Sequence, residues 1–248
     1  ILYYDVTDST NLRIKQAGDE GAPHGTLAVA DRQTTGRGRR GRTWESPAGS
    51  SIYMSILLRP EIAPNKASML TLVMALNVVE GIQECIGNDR DIQIKWPNDI
   101  IINGKKLAGI LTEMSSQIDY INHVTVGVGI NVNTTDFPEE IAQTATSLRI
   151  ECGHTVKRAP LIAAVMERLE ENYETFLETE DLSGLLDRYN ALLVNCDRDV
   201  QIIGAKETYQ AHAIGIDHTG ELIVRREEGS IEKINAGEVS VRGVYGYT

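Results

Sequence analysis

Alternating apolar and polar residues mark a series of short strands in the first half of the chain. Over residues 51–59 every second position is apolar and falls on one face, namely Ile52, Met54, Ile56 and Leu58. This is the pattern of a strand with a buried side. By the same pattern, or as short apolar stretches between turns, strands are predicted over residues 25–33, 51–59, 92–96, 100–104, 105–114 and 123–132.

Apolar residues recur at helical spacing between and after these strands. Helices are predicted over residues 9–17, 64–86, 158–178 and 180–194. The first follows Asp8-Ser9-Thr10-Asn11, which is rich in capping groups, and ends at Gly18. The order of elements predicts an α/β (α+β) fold with a mixed, largely antiparallel sheet and helices packed on it.

The pattern changes near residue 197, after which short strands alternate with tight turns. Five strands are predicted in about 50 residues: 199–204, 208–217, 221–228, 230–236 and 238–246. So many short strands in so short a segment predict a small barrel. We therefore expect a catalytic or binding domain over residues 1–196 and a small C-terminal domain over residues 197–248.

Charge and composition narrow the class of protein. The net charge of −11 opposes binding to the polyphosphate backbone of a nucleic acid. The longest apolar stretches are interrupted well short of the ~18 residues that a membrane span requires, and no leader opens the chain. Cys85, Cys152 and Cys196 form no C-x-x-C pair, which is typical of a cytoplasmic protein, and Cys85 is expected in the helix core.

Several familiar catalytic motifs are absent from the sequence. It has no G-x-S-x-G, H-E-x-x-H or G-x-x-x-x-G-K-[ST] segment. The five histidines are scattered, so no metal site is predicted on them.

The segment TTGRGRRGRTW, which we call the arginine loop (residues 34–44), is the most unusual part of the chain. Gly36, Gly38 and Gly41 have the G-x-G-x-x-G spacing of a dinucleotide-binding turn. That turn must open a helix, whereas this segment connects two predicted strands. Its four arginines in an acidic chain are better explained as a local site for a small anion.

Three further segments place cations or glycines at strand edges: residues 95–99, 105–109 and 127–131. Each alone is a weak signal, and Lys106 taken singly would be an exposed hairpin lysine. Together with the arginine loop they predict a site for a phosphate or carboxylate.

The sequence resembles the biotin protein ligase family through five segments in a fixed order. These are DSTN (8–11), RQTTGRGRRGRTW (32–44), KWPNDI (95–100), KKLAGIL (105–111) and VGVGINVN (126–133). The resemblance implies a class II aminoacyl-tRNA-synthetase-like catalytic domain with an SH3-like C-terminal barrel. It also implies a ligase that converts biotin and Mg²⁺-ATP to biotinyl-5′-AMP and then biotinylates a lysine of a biotin carboxyl carrier protein or domain.

The resemblance further implies roles for individual residues. Lys106 would bridge the biotin carboxylate and the phosphoryl group, and Arg39 would act with it. Biotin would contact Ser9, Thr10, Asn11, Gln33, Arg37, Gly38, Arg39, Lys106, Gly109 and Gly127. The nucleotide would contact Trp44, Lys95, Asn98, Asp99 and Asn131. Core packing is an alternative for Trp44, and no metal-ligating residue is assigned.

Two roles stay open at this point. Lys95 is either a phosphate contact or a structural ion-pair partner. Asp99 either holds Lys95 and the loop or lies near Mg²⁺.

Alternatives to the ligase differ in the segments they require. Lipoate and octanoate transferases carry an R-R-x-x-G-G-G type segment in place of GRGRRGRTW, and the net charge disfavours a nucleic-acid-binding module. Some family members carry an N-terminal DNA-binding domain, which these residues lack: either the chain is a monofunctional ligase or that domain is missing. Pairing of sheet edges would serve carrier docking or a homodimer, and the arginine loop is expected to order when ligand binds.

Overall fold

The computed structural model describes residues 1–204, 207–236 and 240–243. In the first 196 residues the elements are β1 (Leu2–Thr7), α1 (Thr10–Asp19), β2 (Leu27–Gln33), β3 (Ile52–Leu58), α2 (Leu70–Ile86), β4 (Ile92–Lys95), β5 (Asp99–Ile102), β6 (Lys105–Ser116), β7 (Ile121–Ile130), α3 (Leu148–Cys152), α4 (Arg158–Thr179) and α5 (Leu186–Leu192). They are followed by β8 (Arg198–Ile203), β9 (Thr208–Ile216), β10 (Leu222–Arg225), β11 (Ile231–Ile234) and β12 (Ser240–Gly243).

The first seven strands form one sheet in the order β1-β2-β3-β7-β6-β5-β4. Only β1 and β2 run parallel, and the other neighbours are antiparallel. The predicted mixed, largely antiparallel sheet is thus confirmed. The hairpin from β5 to β6 turns at Asn103 and Gly104, which both have positive φ, as a two-residue hairpin turn requires.

Strand β3 is buried on both faces of this sheet. Its face with Ile52, Met54, Ile56 and Leu58 joins the main core with α2. Leu57, on the other face, packs with Ile14 of α1 and Ala28 of β2. The alternation in the sequence identified the main face, while the second face is covered because α1 crosses it.

Helix α2 lies between the sheet and α4. The approach of the two helices is so close that a Cβ on Gly81 would lie 2.8 Å from the Val165 side chain. By length and composition alone the segment Pro64–Ile86 could cross a membrane, contrary to the prediction that every apolar stretch is too short. In the fold, 67% of its most apolar stretch of 18 residues is buried inside the protein, so this stretch forms part of the core.

The C-terminal strands form a separate antiparallel sheet in the order β11-β10-β9-β8-β12. Within the described residues β11 and β12 are its edges. Of the predicted last strand, only residues 240–243 are described. The sheet is attached to the larger one through Trp96, whose indole nitrogen donates to the Gly220 carbonyl at 3.0 Å.

The structure corrects two predictions and contains one short helix that was not predicted. The helix predicted over 180–194 begins only at Leu186, because Glu180 is left-handed and the Asp181 carboxylate accepts from the Ser183 amide in a turn. The five-residue α3 was not predicted. Cys85 is exposed rather than in the core.

Candidate active site

A cavity of about 60 Å³, the first cavity, lies between the arginine loop and strands β6 and β7. Its lining contains every residue predicted to bind biotin, and two of those predicted to bind nucleotide, Trp44 and Asn98. The remaining lining residues are Met54, Ile110, Leu111, Val128 and Gly129. The fold therefore brings together residues from the start of α1, from β2, β3, β6 and β7, from the arginine loop, and Asn98 between β4 and β5.

Glycines on two paired strands form the floor of this cavity. Gly127 and Gly129 alternate on β7, and Gly109 of β6 pairs with Gly129. A Cβ on Gly129 would lie 2.6 Å from the Trp44 ring, and one on Gly109 would lie 3.0 Å from it. A Cβ on Gly127 would overlap the carboxamide oxygen of Asn11. The strands need glycine at these positions because side chains from other elements lie directly on their backbone.

Hydrogen bonds hold the polar wall of the first cavity in place. The Gln33 carbonyl oxygen accepts from the Thr10 amide at 2.8 Å and lies 3.1 Å from the Thr10 hydroxyl, while its amide donates to Ser46 Oγ at 3.0 Å. Ser55 Oγ, fully buried on β3, lies 2.8 Å from Thr10 Oγ1 and 2.6 Å from Asn11 Oδ1. Ser55 carried no local signal in the sequence because a serine within an apolar strand forms no motif.

Glu113 of β6 contacts two of the lining residues. Its Oε2 accepts from Asn11 Nδ2 at 2.8 Å, and its Oε1 lies 3.1 Å from Arg37 Nη1. Asn11 Nδ2 also donates to the Leu111 carbonyl at 3.3 Å. The Asn11 carboxamide therefore has both its oxygen and its nitrogen engaged. Glu113 was not among the predicted site residues.

The opposite end of the first cavity is strongly cationic. Lys106 Nζ forms a 2.7 Å ion pair with Asp99 Oδ1 and lies 5.4 Å from the centre of the Trp44 ring. Arg39 donates through Nη1 to Asn98 Oδ1 at 2.8 Å and through Nη2 to the Ala236 carbonyl at 2.6 Å. Arg39 thus connects the arginine loop to both sheets, and its burial lowers the pKa of its guanidinium.

Lys95 lies next to this group but lines neither cavity within the described part of the chain. It pairs with Asp99 across β4 and β5 and is only 5% exposed. Burial lowers the pKa of Lys95 to about 8, with the positive charges of Lys106 and Arg242 acting in the same direction and Asp99 against it. Asp99 also lines neither cavity and reaches the site through Lys106.

A second cavity of about 940 Å³ adjoins the first, and Gln33, Trp44 and Lys106 line both. Its outer wall is the irregular segment of residues 134–145, which contributes Phe137, Pro138, Ile141 and Ala145. Asn131 lines it and donates from its amide to the Thr146 carbonyl at 3.1 Å. The sequence analysis did not assign this wall because the segment has no periodic pattern.

Comparisons with known proteins identify the family to which the chain belongs. The model of the biotin/lipoate A/B protein ligase family matches residues 3–131, and that of the biotin protein ligase C-terminal domain matches residues 195–242. The bifunctional ligase/repressor BirA of Bacillus subtilis is 39% identical over 97% of this chain and 74% of that protein. A biotin–[acetyl-CoA-carboxylase] ligase of Paracoccus denitrificans is 33% identical over 96% of this chain and 98% of that protein.

Among solved structures, biotin protein ligase from Aquifex aeolicus in complex with biotin and ATP is similar over the whole fold. The TM-score is 0.84 at 32% identity, covering 98% of each chain. The match therefore extends across the seven-stranded sheet and the C-terminal sheet alike. This chain belongs to the biotin protein ligase family.

Proposed function

We propose that this chain activates biotin with ATP to biotinyl-5′-AMP and transfers the biotinyl group to a lysine of the biotin carrier of a carboxylase. The observation that carries the proposal is the joining of two cavities at Lys106. The first has a polar wall suited to a small uncharged head group, and the second is larger. The Aquifex aeolicus relative holds biotin and ATP together, and the Paracoccus denitrificans relative is named for a carboxylase substrate.

The biotin head group is proposed to occupy the first cavity beside Ser9, Thr10, Asn11 and Gln33. The ureido ring presents two N–H donors and one carbonyl acceptor, which hydroxyl and carboxamide groups can satisfy. Hydrogen bonds already fix Thr10, Asn11 and Gln33. These side chains therefore lose little conformational entropy when biotin binds. The volume of about 60 Å³ is smaller than ligand pockets usually are, so we expect the arginine loop to open to admit biotin and then to close over it.

Lys106 is proposed to bring the two anions together in the first step. A biotin carboxylate oxygen forms a bond to the α-phosphorus of ATP, the bond from that phosphorus to the bridging oxygen of pyrophosphate breaks, and pyrophosphate leaves. The Lys106 ammonium neutralises charge on both reactants, and Arg39 adds a second positive charge. In the second step a carrier lysine amine attacks the biotinyl carbonyl and an amide bond forms. AMP leaves with the electron pair of the broken C–O bond, and the amine nitrogen gives up one proton to solvent.

The nucleotide is proposed to occupy the second cavity. Trp44 and the apolar residues of segment 134–145 provide walls for the base. Asn131 lines the same cavity, and Asn98 lines the adjoining first cavity. This assignment favours a ligand role for Trp44 over core packing, because its ring lines both cavities.

Mg²⁺ is proposed to accompany ATP and to lie near Asp99, where this carboxylate contacts Lys106. No group of three or more acidic, histidine or cysteine residues suited to a metal is found among the described residues. Mg²⁺ usually keeps waters and phosphate oxygens and takes only one or two carboxylates from a protein. When bound, Mg²⁺ would withdraw charge from the phosphate oxygens. Lys95, buried beside Asp99, is proposed as the structural partner of that carboxylate rather than a phosphate contact.

Biotin-dependent exchange of pyrophosphate into ATP tests the proposal. We expect exchange with biotin and none with lipoate, and a loss on the order of 10²–10³-fold in Lys106→Gln. Lys105→Gln is the matched control, because this neighbour on β6 lines neither cavity. Exchange that depends on lipoate, or an equal loss in both variants, would contradict the assignment.

A further inference from the structure

We propose that Glu113 is a positioning residue that holds the arginine loop closed over the acyl-adenylate through its ion pair with Arg37. The inference rests on the proposed function. It concerns how long the intermediate stays bound rather than how it forms. Glu113 does not itself line the first cavity within the described residues, but it contacts two residues that do.

The arginine loop is fastened to the rest of the protein at two separate points by its charged side chains. Arg39 reaches Asn98 and Ala236, and Arg37 reaches Glu113. Both partners of Arg39 are uncharged oxygens, whereas Glu113 is a carboxylate. The Arg37 pair is therefore the loop's only ion pair of 4 Å or less in the described part of the chain.

Glu113 is itself held in position from the other side. Its Oε2 accepts from Asn11 Nδ2, and the same carboxamide is fixed through its oxygen by Ser55. The carboxylate consequently joins the arginine loop to the polar wall of the first cavity. A side chain restrained in this way retains more of the attraction of an ion pair, because less side-chain entropy is lost when the pair forms.

The exposure of the pair indicates how strongly it acts. The Arg37 and Glu113 side chains are 42% and 30% exposed, so their attraction is partly screened by solvent. Pairs of this kind shift an equilibrium about two- to fivefold. An attachment of that strength slows the escape of the intermediate and still allows the loop to open for the carrier lysine.

The test measures release of biotinyl-adenylate from preloaded enzyme, by chasing with excess unlabelled biotin. Glu113→Gln keeps the size of the side chain and removes its charge. We expect release about two- to fivefold faster, with pyrophosphate exchange at saturating biotin changed less than twofold. Asp119→Asn, an exposed acid in the following turn, removes the same charge and should leave both rates unchanged.

Two further variants separate the ion pair from a general structural effect. If the pair is the cause, Arg37→Gln combined with Glu113→Gln should release no faster than Arg37→Gln alone. Exchanging the charges, with Arg37→Glu and Glu113→Arg together, should recover part of the retention lost in either single change. Glu113→Asp, which keeps the charge but shortens the reach to Arg37, provides the same release measurement if the glutamine variant fails to fold.

The release measurements separate a failure of the role proposed for Glu113 from a failure of the proposed function. A wild-type chain that forms no biotin-dependent adenylate contradicts both. A wild-type chain that forms it, with unchanged or slower release in Glu113→Gln, contradicts the role of Glu113 alone. Additive effects of the Arg37 and Glu113 changes would likewise overturn it.

Discussion

The floor and the roof of the first cavity are constructed in opposite ways. The floor is backbone: Gly109, Gly127 and Gly129 lie within the hydrogen-bonded ladder of β6 and β7. The roof is the arginine loop, attached through the ends of long side chains. The paired strands cannot shift without breaking several backbone hydrogen bonds at once. The side-chain contacts of the loop can each be replaced by hydrogen bonds to water. The sheet therefore fixes the position of the ligand, and the loop controls access to it.

The largest effect is expected from placing a side chain on the floor. Gly127→Ala would drive a methyl group into the Asn11 carboxamide, which Ser55 and Glu113 hold. Because that carboxamide is held on both sides, it has little freedom to shift. We expect biotin affinity to fall about 100-fold or more, as measured by isothermal titration calorimetry.

Gly109→Ala provides the graded comparison for this prediction. Its nearest neighbours are the Trp44 ring at 3.0 Å and the flexible end of Lys106 at 3.3 Å, both of which can shift slightly. We expect a loss at least tenfold smaller than for Gly127→Ala, with thermal unfolding followed to confirm that both variants fold. Equal losses would show that the floor is not the rigid element we describe.

A smaller effect is expected from loosening the roof. Arg39→Gly removes two hydrogen bonds made by a charged donor, so the arginine loop loses its contacts with Asn98 and Ala236. We expect the intermediate to escape roughly tenfold faster and to modify lysines indiscriminately, while part of the adenylate formation persists. Release of labelled biotinyl-adenylate and labelling of a bystander protein measure this.

Arg40→Gly is the matched control for Arg39→Gly. Arg40 is exposed and already has a positive φ of 56°, which glycine adopts readily. Its release rate should stay close to that of the wild type. Equal release rates in Arg39→Gly and the wild type would instead mean that closure of the arginine loop does not depend on the contacts of Arg39.

The smallest effect is expected beneath the site, in the pH dependence of stability. Burial lowers the pKa of Lys95 from 10.5 to about 8, so between these values the folded protein binds fewer protons than the unfolded chain. The free energy of unfolding should therefore rise with pH between about 8 and 10.5. Below this window Lys95 is protonated in both states and contributes no pH dependence.

Urea unfolding of the wild type and Lys95→Met at several pH values from 7.5 to 10.5 checks this sign. The wild type should gain about 1–3 kcal/mol more than the variant over the window. Other groups that titrate in this range are common to both proteins and cancel. A larger rise of the free energy of unfolding in Lys95→Met than in the wild type would contradict the lowered pKa of Lys95.

Much of the larger sheet could be predicted because its strands carry an apolar face and are separated by strong turns. The hairpin at Asn103 and Gly104 and the alternation in β3 are examples. The predicted length of the helix over 180–194 was wrong because a turn held by Asp181 precedes α5. Such a turn depends on one side-chain hydrogen bond, which spacing does not reveal.

The candidate site was predictable to the extent that it is built from motifs. The glycines and cations form recognisable segments, and the structure brings them to one cavity. Ser55 and Glu113 were missed because each acts on Asn11 from a distant part of the chain. The outer wall of the second cavity was missed because its residues are positioned by backbone hydrogen bonds, such as that from the Lys106 amide to the Thr144 carbonyl at 2.7 Å.

The indole of Trp96 has a consequence for how such proteins can be recombined. It is 1% exposed and its nitrogen donates to Gly220, while Asn98, two residues later, holds the Arg39 side chain that also reaches Ala236. The C-terminal sheet is therefore not a module that can be exchanged at will between relatives. A chimera that replaces it must preserve both contacts, or it will expose a large aromatic surface and release the arginine loop in the same event.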